Sequence, residues 1–442
     1  MTTDGFGYWP SPLSAQEAAA GRTNLAELAS DATALHWLES RPEEGGRVVF
    51  MRAAEGTARE FSPAGVSIRS RVHEYGGGAS CLVAGHGPGA MAYVELNEQR
   101  VWLAAPSAAP RPISATPRTG ERWAHGGLSA SFDGDWVLAV REVHTEGTLQ
   151  PERCIVAIGT KEHNAGESVV LAGRDFYGAP ALNAAGDQLV TTAWDHPNMP
   201  WDGSVVLVVR VGKVATHLVA LGEPITVAGG ESESVGQPAW TSDGAVRFAS
   251  DRSGWWQPYD LVTEGAKSAV GKGGALRWID AAAEFHGPDW VLGQRTMVEL
   301  DDGSLIARQT AHGRDSLLHI AAPLAPPEVI DQPCTQIKEL CRHGGGWRSL
   351  VDRPTNPTMY GSWSGRGRQP GASEHHRPER SIPPAFRCPS PSSWWDARDA
   401  RSMACCIDRP CTVSNAMTRC ARLWWCRATA ARRRRPVRAS MS

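Results

Sequence analysis

No apolar run in this chain approaches the eighteen or so residues that a membrane span needs. Met1 to Ser14 lacks the basic start and following apolar stretch of a secretory signal. Only Cys81 and Cys154 fall in the first 330 residues, too few for a disulfide framework, so the expectation is a cytoplasmic protein with reduced thiols and no membrane partner. Metal-binding patterns are missing too. Cys405, Cys406, Cys411, Cys420 and Cys426 lack the C-x2-C knuckles that present two thiolates to one ion. His375-His376 has no second pair, and no H-E-x-x-H occurs, so neither a metal nor any cofactor is expected. Helical periodicity is absent beyond Ser14 to Ala20.

Lysine disappears altogether after Gly361. From there to Ser442 the chain holds sixteen Arg, five acidic residues, six Cys and only six residues from Leu, Ile, Val and Phe. Such a segment cannot bury a core and reads as disordered. The near-neutral total of −2 therefore hides a body of charge −13 and a tail of +11. An acidic body argues against nucleic acid as its partner, because phosphate binding needs a basic face. Arg432 to Arg435 beside Trp424 and Trp425 imitate a nucleic-acid segment, but the composition of the whole tail speaks against that reading.

What is present, from about Asn24 to Leu340, is one theme repeated: a short apolar strand, a polar turn with Gly, and another strand. Leu128 to Leu138, Pro180 to Val190 and Pro238 to Phe248 are its clearest copies, fifty to sixty residues apart. Further hairpins are readable at Leu35 to Met51, Ala79 to Leu103 and Trp290 to Ile320, the last turning at Asp301-Asp302-Gly303. Asp-Gly supplies the positive φ of a tight turn, and the alternating apolar residues need a neighbouring sheet on each side. Radial stacking meets that need. The fold class is all-β, a β-propeller of about seven blades, with six as the alternative; a single β-sandwich is too short for so many units. The expected organisation is a propeller over residues 1–357, with a short N-terminal extension, and a disordered tail over 358–442.

Four strings carry a resemblance: Tyr8-Trp9-Pro10-Ser11-Pro12, Arg71 to Gly78 (RVHEYGGG), Trp194 to Gly203 (WDHPNMPWDG) and Ser250 to Trp256 (SDRSGWW). Over roughly Gly7 to Pro357 the chain resembles bacterial members of the prolyl oligopeptidase family of serine peptidases, of the acylaminoacyl-peptidase or dipeptidyl-aminopeptidase type. The resemblance implies a substrate-gating propeller followed by an α/β-hydrolase domain with Ser, Asp and His, which would be the native packing partner. That domain's nucleophile sits on a G-x-S-x-G elbow. Here Gly361-Ser362-Trp363-Ser364-Gly365 has Trp at the nucleophile position. The tail suggests a reading frame slipped by one base between about Thr358 and Phe386. Read one base earlier, Met403 to Asp408 permits His-Gly-Leu-Leu-His, and Trp424 to Arg432 permits Val-Val-Val-Pro-x-His-Gly-Gly-Pro, strings that look like the family's entry into its hydrolase domain. The expectation is a propeller without peptidase activity, or alternatively a scaffold that binds peptides or proteins.

No catalytic residue is expected. As substrate-binding candidates, Arg71, His73 and Glu74 precede three glycines that allow close backbone approach, and the trio would grip the terminus of a short peptide. An inter-blade salt bridge with a tight turn is the plainer and favoured reading. Asp195, His196, Trp201 and Asp202 form a second polar and aromatic loop, in which an Asx-turn at Asp195 stiffened by Pro197 and Pro200 is again favoured. Trp255-Trp256 reads as packing between blades. His343 to Trp347 matches an oxyanion loop in composition, but reads as a glycine turn.

Overall fold

The alternation of apolar and polar residues between glycine turns produces antiparallel meanders. The structure, a computed structural model, describes Ser14, residues 23–352 apart from Ala32, Gly56, Ala165, residues 262–273 and Pro333, and the strand Pro357–Tyr360. The string at Tyr8 to Pro12, nearly all of the helical pattern at Ser14 to Ala20, and the tail from Gly361 with its arginines and cysteines lie outside the described residues.

Among the described residues seven sheets follow one another along the chain, six of four or more strands and a seventh of three. They are numbered here as blades 1 (residues 25–60), 2 (80–112), 3 (121–172), 4 (176–230), 5 (235–277), 6 (297–330) and 7 (337–360). Regular helix is confined to two single turns, Pro42–Glu44 and Glu162–Asn164, among the described residues.

Apolar clusters fill the joints between neighbouring blades, one of them serving two joints. Leu38 and Phe50 of blade 1 pack with Met91 and Tyr93 of blade 2, and that cluster continues to Val137 and Val156 of blade 3. Further clusters fill the joints between blades 3 and 4, 4 and 5, 5 and 6, and 6 and 7. The last cluster joins Leu25, Leu28 and Trp37 of blade 1 to Cys341 and Leu350 of blade 7. The sheets therefore close into a ring. Trp136 to Val140 is buried on both faces of its strand because blades stand on either side of it.

The first strands of blades 3 and 7 also bond to the residues that lead into the first strands of blades 2 and 6, which puts the first strands innermost. Leu128 N–H donates to Gly78 O at 2.8 Å, and Leu340 N–H to Arg295 O at 2.9 Å. In an antiparallel meander that starts inside, blade-to-blade connections and second-to-third turns share one end of the ring. First-to-second turns take the other end. Gly134, Gly186, Gly244 and Gly303 all lie there with positive φ, in the hairpins anticipated from the sequence. His343 to Trp347 is the corresponding turn of blade 7, with Gly344 at φ 55° and Gly345 at φ 76°.

Candidate functional site

The connection from blade 1 to blade 2 contains residues 71–78, and its glycines meet a partner from across the ring. Leu292 N–H donates to Gly76 O at 3.0 Å, and Gly77 forms a parallel bridge with Leu292. A Cβ on Gly77 would lie 2.3 Å from Leu292 O, so only glycine fits. Leu292 belongs to the connection between blades 5 and 6, opposite blade 2 in a seven-membered ring. Residues 287–294 thus form a strap that runs across this end of the ring to the connection between blades 1 and 2. Its Asp289 carboxylate accepts from Gln237 N–H at 3.2 Å and Thr192 Oγ1 at 3.3 Å. Gln294 Nε2 donates to Pro288 O and Val291 O, both at 3.2 Å. The anticipated hairpin from Trp290 therefore begins only at Met297, and Trp290 rides on the strap.

Residues 195–203 are the second-to-third turn of blade 4, so both candidate loops reach the same end of the ring. Aromatic contacts connect them twice. His73 meets Phe176 at 5.5 Å and Trp194 at 5.6 Å between ring centroids, both edge-on, while Phe176 stacks on Trp194 and touches His196 at 5.1 Å. On the strap, Trp290 lies 4.9 Å from Tyr75 and 5.6 Å from Trp201.

The trio Arg71, His73 and Glu74 does not face one way. His73 is 8% exposed, whereas Arg71 and Glu74 are exposed. Among the described residues neither Arg71 nor Glu74 makes an ion pair. Burial pushes the His73 imidazole down to about 4, against the pull of the Glu142 carboxylate. Glu142 accepts from His73 N–H at 3.1 Å and from Arg153 Nε at 2.7 Å, and the Arg153 guanidinium lies 4.2 Å over Phe176. His73 and Glu74 both hold left-handed backbone, at φ 56° and 67°.

In the second loop, Asp195 grips the preceding connection by accepting from Arg174 and from Asp175 N–H at 2.8 Å. Asp202 accepts from Met199 N–H at 3.1 Å and so shapes the turn. His196 is exposed and Trp201 half-buried. Trp256 is buried, donating to Ser234 Oγ at 3.0 Å and meeting His286 edge-on, which is a packing role.

Sequence reasoning missed Phe176, Glu142, Arg153 and Trp290. The only signal for the last was the run of three glycines waiting for a close neighbour. A cleft of about 410 Å³ opens beside blade 3, lined among others by Glu121, Arg122, His144 and Leu149, and by none of the seven candidates. Among the described residues no group of three His, Cys, Asp or Glu is placed to hold a metal, and no helix is long and apolar enough to cross a membrane.

One serine–histidine contact lies at the opposite end, Ser30 Oγ to His343 Nδ1 at 2.6 Å. Ser30 Oγ also lies within hydrogen-bond reach of the Asp31 and Ala34 carbonyls, and the Asp31 carboxylate binds His36 at 3.0 Å, so among the described residues no carboxylate hydrogen-bonds His343 as a triad would require.

No family model and no curated protein matches this chain. Solved structures do. The chain is similar to a puromycin-hydrolysing peptidase of Mycobacterium tuberculosis at 28% identity and TM-score 0.69, over 81% of this chain and 54% of that one. A puromycin hydrolase matches at 25% and 0.68, over 81% and 55%. A prolyl endopeptidase shares the fold alone, at 10% and 0.52, over 78% and 47%. The structural neighbours of this propeller are thus puromycin-hydrolysing peptidases and prolyl oligopeptidases. The chain spans just over half the length of the first two.

Proposed function

We propose that this chain is the substrate-gating propeller of a prolyl-oligopeptidase-like serine peptidase, which receives short peptides on the face carrying the two candidate loops and does not itself cut them. The observation that carries the reading is the likeness to puromycin-hydrolysing peptidases along the propeller, together with the lack of any G-x-S-x-G string in these 442 residues. Amide hydrolysis by acyl transfer needs a serine activated by a positioned base, and a ring of antiparallel sheets supplies neither. Peptidase chemistry then belongs to an α/β-hydrolase partner. Cys81, Cys154, Cys334 and Cys341 are unpaired, which fits a reducing, cytoplasmic setting.

The test is incubation of the purified chain with aminoacyl and acyl-peptide chromogenic substrates and with a fluorophosphonate label. Neither turnover nor labelling is expected. Specific labelling of one serine overturns the reading. A second reading, a non-catalytic scaffold that binds peptides on its own, is favoured by the exposed Arg71 and Glu74, whose charges no described partner neutralises. Peptide binding by the isolated chain separates the two.

A further inference from the structure

The strap spans the ring from side to side. It leaves from the connection between blades 5 and 6, and in a ring of seven the point opposite blade 6 lies between blades 2 and 3. Leu292 arrives at that point. Besides its main-chain contacts to Gly76 and Gly77, it reaches the first strand of blade 3, where a Cβ added to Gly127 would lie 3.1 Å from Leu292 Cδ1. Its side chain is buried among apolar residues of blades 3 and 4. Gly293 follows with φ of 79°, and a Cβ there would lie 3.2 Å from Gly78 Cα. First strands border the centre of a propeller, so a chain that runs from the foot of blade 6 to Gly127 passes over the bore.

Both feet of the strap are fixed. Before it, Phe285 N–H donates to Trp256 O at 2.8 Å, and Glu284 exchanges backbone hydrogen bonds with Thr310 at 3.1 and 2.7 Å. After it, Thr296 N–H and Oγ1 donate to Gln237 Oε1 at 3.0 and 2.7 Å. Between the feet stands one charge. Asp289 Oδ2 accepts from Gln237 N–H and Thr192 Oγ1, while Oδ1 lies 3.1 Å from Nε2 of the buried His286. Swinging the strap aside would expose Leu292 and strip Asp289 of these three partners together. Surface connections without such anchors open far more readily than the sheets they join. We propose that residues 287–294 are a fixed bar across the bore, locked by Asp289, so that no polypeptide threads the ring from one end to the other.

Hydrogen exchange of single amides in the full chain, read by NMR, tests it. The Leu292 amide, bonded to Gly76 O, is compared with that of Val94, which is buried in blade 2 and bonded to Ala79 O at 2.8 Å. In the parent the two are expected to exchange within about tenfold of each other, the behaviour of a segment released only with the ring itself. Asp289→Ala should speed exchange at Leu292 by about a hundredfold and leave Val94 unchanged. Asp289→Asn, which keeps an oxygen for Gln237 and Thr192 but loses the charge facing His286, should fall between the two. Exchange at Leu292 more than about a hundredfold faster than at Val94 in the parent means a lid that opens while the ring stands, and overturns the bar. Exchange that matches the parent in both variants overturns the lock. Should Asp289→Ala fail to fold, the parent and Asp289→Asn decide both points.

Discussion

Glu339, in the first strand of blade 7, accepts the backbone N–H of Glu27 in blade 1 at 3.0 Å, and its other oxygen accepts that of Leu28 at 2.8 Å. Glu27 repeats the pattern toward blade 2, accepting Ala79 N–H at 2.8 Å and Ser80 N–H at 2.9 Å. Two carboxylates thus stitch three blades across the place where the first and last sheets meet. Among the described residues no strand is exchanged there, since blade 1 is built from residues 25–60 and blade 7 from residues 337–360, and these two sheets meet through lateral contacts.

Glu339→Ala should therefore loosen the ring. It strips two part-buried donors of a charged acceptor, a loss of about 2–3 kcal/mol by urea unfolding, and Glu339→Gln, which keeps one carbonyl oxygen, should lose less. An alanine variant within about 0.5 kcal/mol of the parent would show that water replaces the carboxylate at no cost.

The same stitch makes stability depend on pH. Burial pushes the Glu27 carboxyl up to about 7, with repulsion from Glu339 adding to it against the lowering by the Ala79 and Ser80 donors. The folded chain keeps this proton up to about pH 7, whereas the unfolded chain releases it near 4.5. Between those values the folded state binds more protons, so this contribution falls as pH rises. His73 runs the other way: held down at about 4 by burial, it contributes fully above about 6.5 and loses that contribution as pH falls through 4. Comparison of the parent with Glu27→Gln isolates the first effect. The parent's stability relative to the variant should decline from pH 5 to pH 7 and level off above; a difference independent of pH would remove Glu27 as the titrating group.

The hairpins were legible in the sequence because a Gly turn between apolar strands is a local signal, and Gly134, Gly186 and Gly244 occupy the positions it demands. The strap was not. Gly77 and Leu292 meet across the ring with more than two hundred residues between them, and nothing near Leu292 announces the contact. Nothing in the sequence around Glu27 and Glu339 sets them apart from other charged residues, and only the closed ring brings them to backbone donors. Charge in the candidate loop was legible as composition but not as direction. Left-handed φ at His73 is what sends its ring inward and leaves Glu74 outside, and no residue type at either position signals that.

Gly77→Ala tests the strap. Its added Cβ would meet the Leu292 backbone oxygen at 2.3 Å and nitrogen at 2.6 Å, neither of which can swing aside like a side chain. Gly65 is a control, with φ of 75° and nothing within 4 Å of the same added atom. Gly65→Ala should lose about 1 kcal/mol from backbone strain alone, and Gly77→Ala about 3 kcal/mol or more. Equal losses would mean that the strap yields freely.

Glu142 is the buried anchor of the aromatic floor, and its removal separates a structural charge pair from a solvated one. Its side chain and that of Arg153 are almost wholly buried, and the carboxylate serves Arg153 Nε, His73 N–H and, at 3.3 Å, His144 Nε2. Glu142→Ala leaves a buried guanidinium unpaired above Phe176 and should lose about 3–5 kcal/mol in urea unfolding. Joint replacement by Glu142→Leu and Arg153→Met should recover most of that loss, because apolar residues of similar volume seldom stabilise less than a buried ion pair. Peptide affinity should follow a different course. The double variant keeps Phe176 packed but still deprives His73 N–H of its acceptor, so the loop that carries Glu74 and Tyr75 loses its fixed direction and affinity stays low while stability returns. Affinity that recovers together with stability would show that the loop is held by packing on Phe176 and Trp194, with Glu142 needed only to neutralise Arg153.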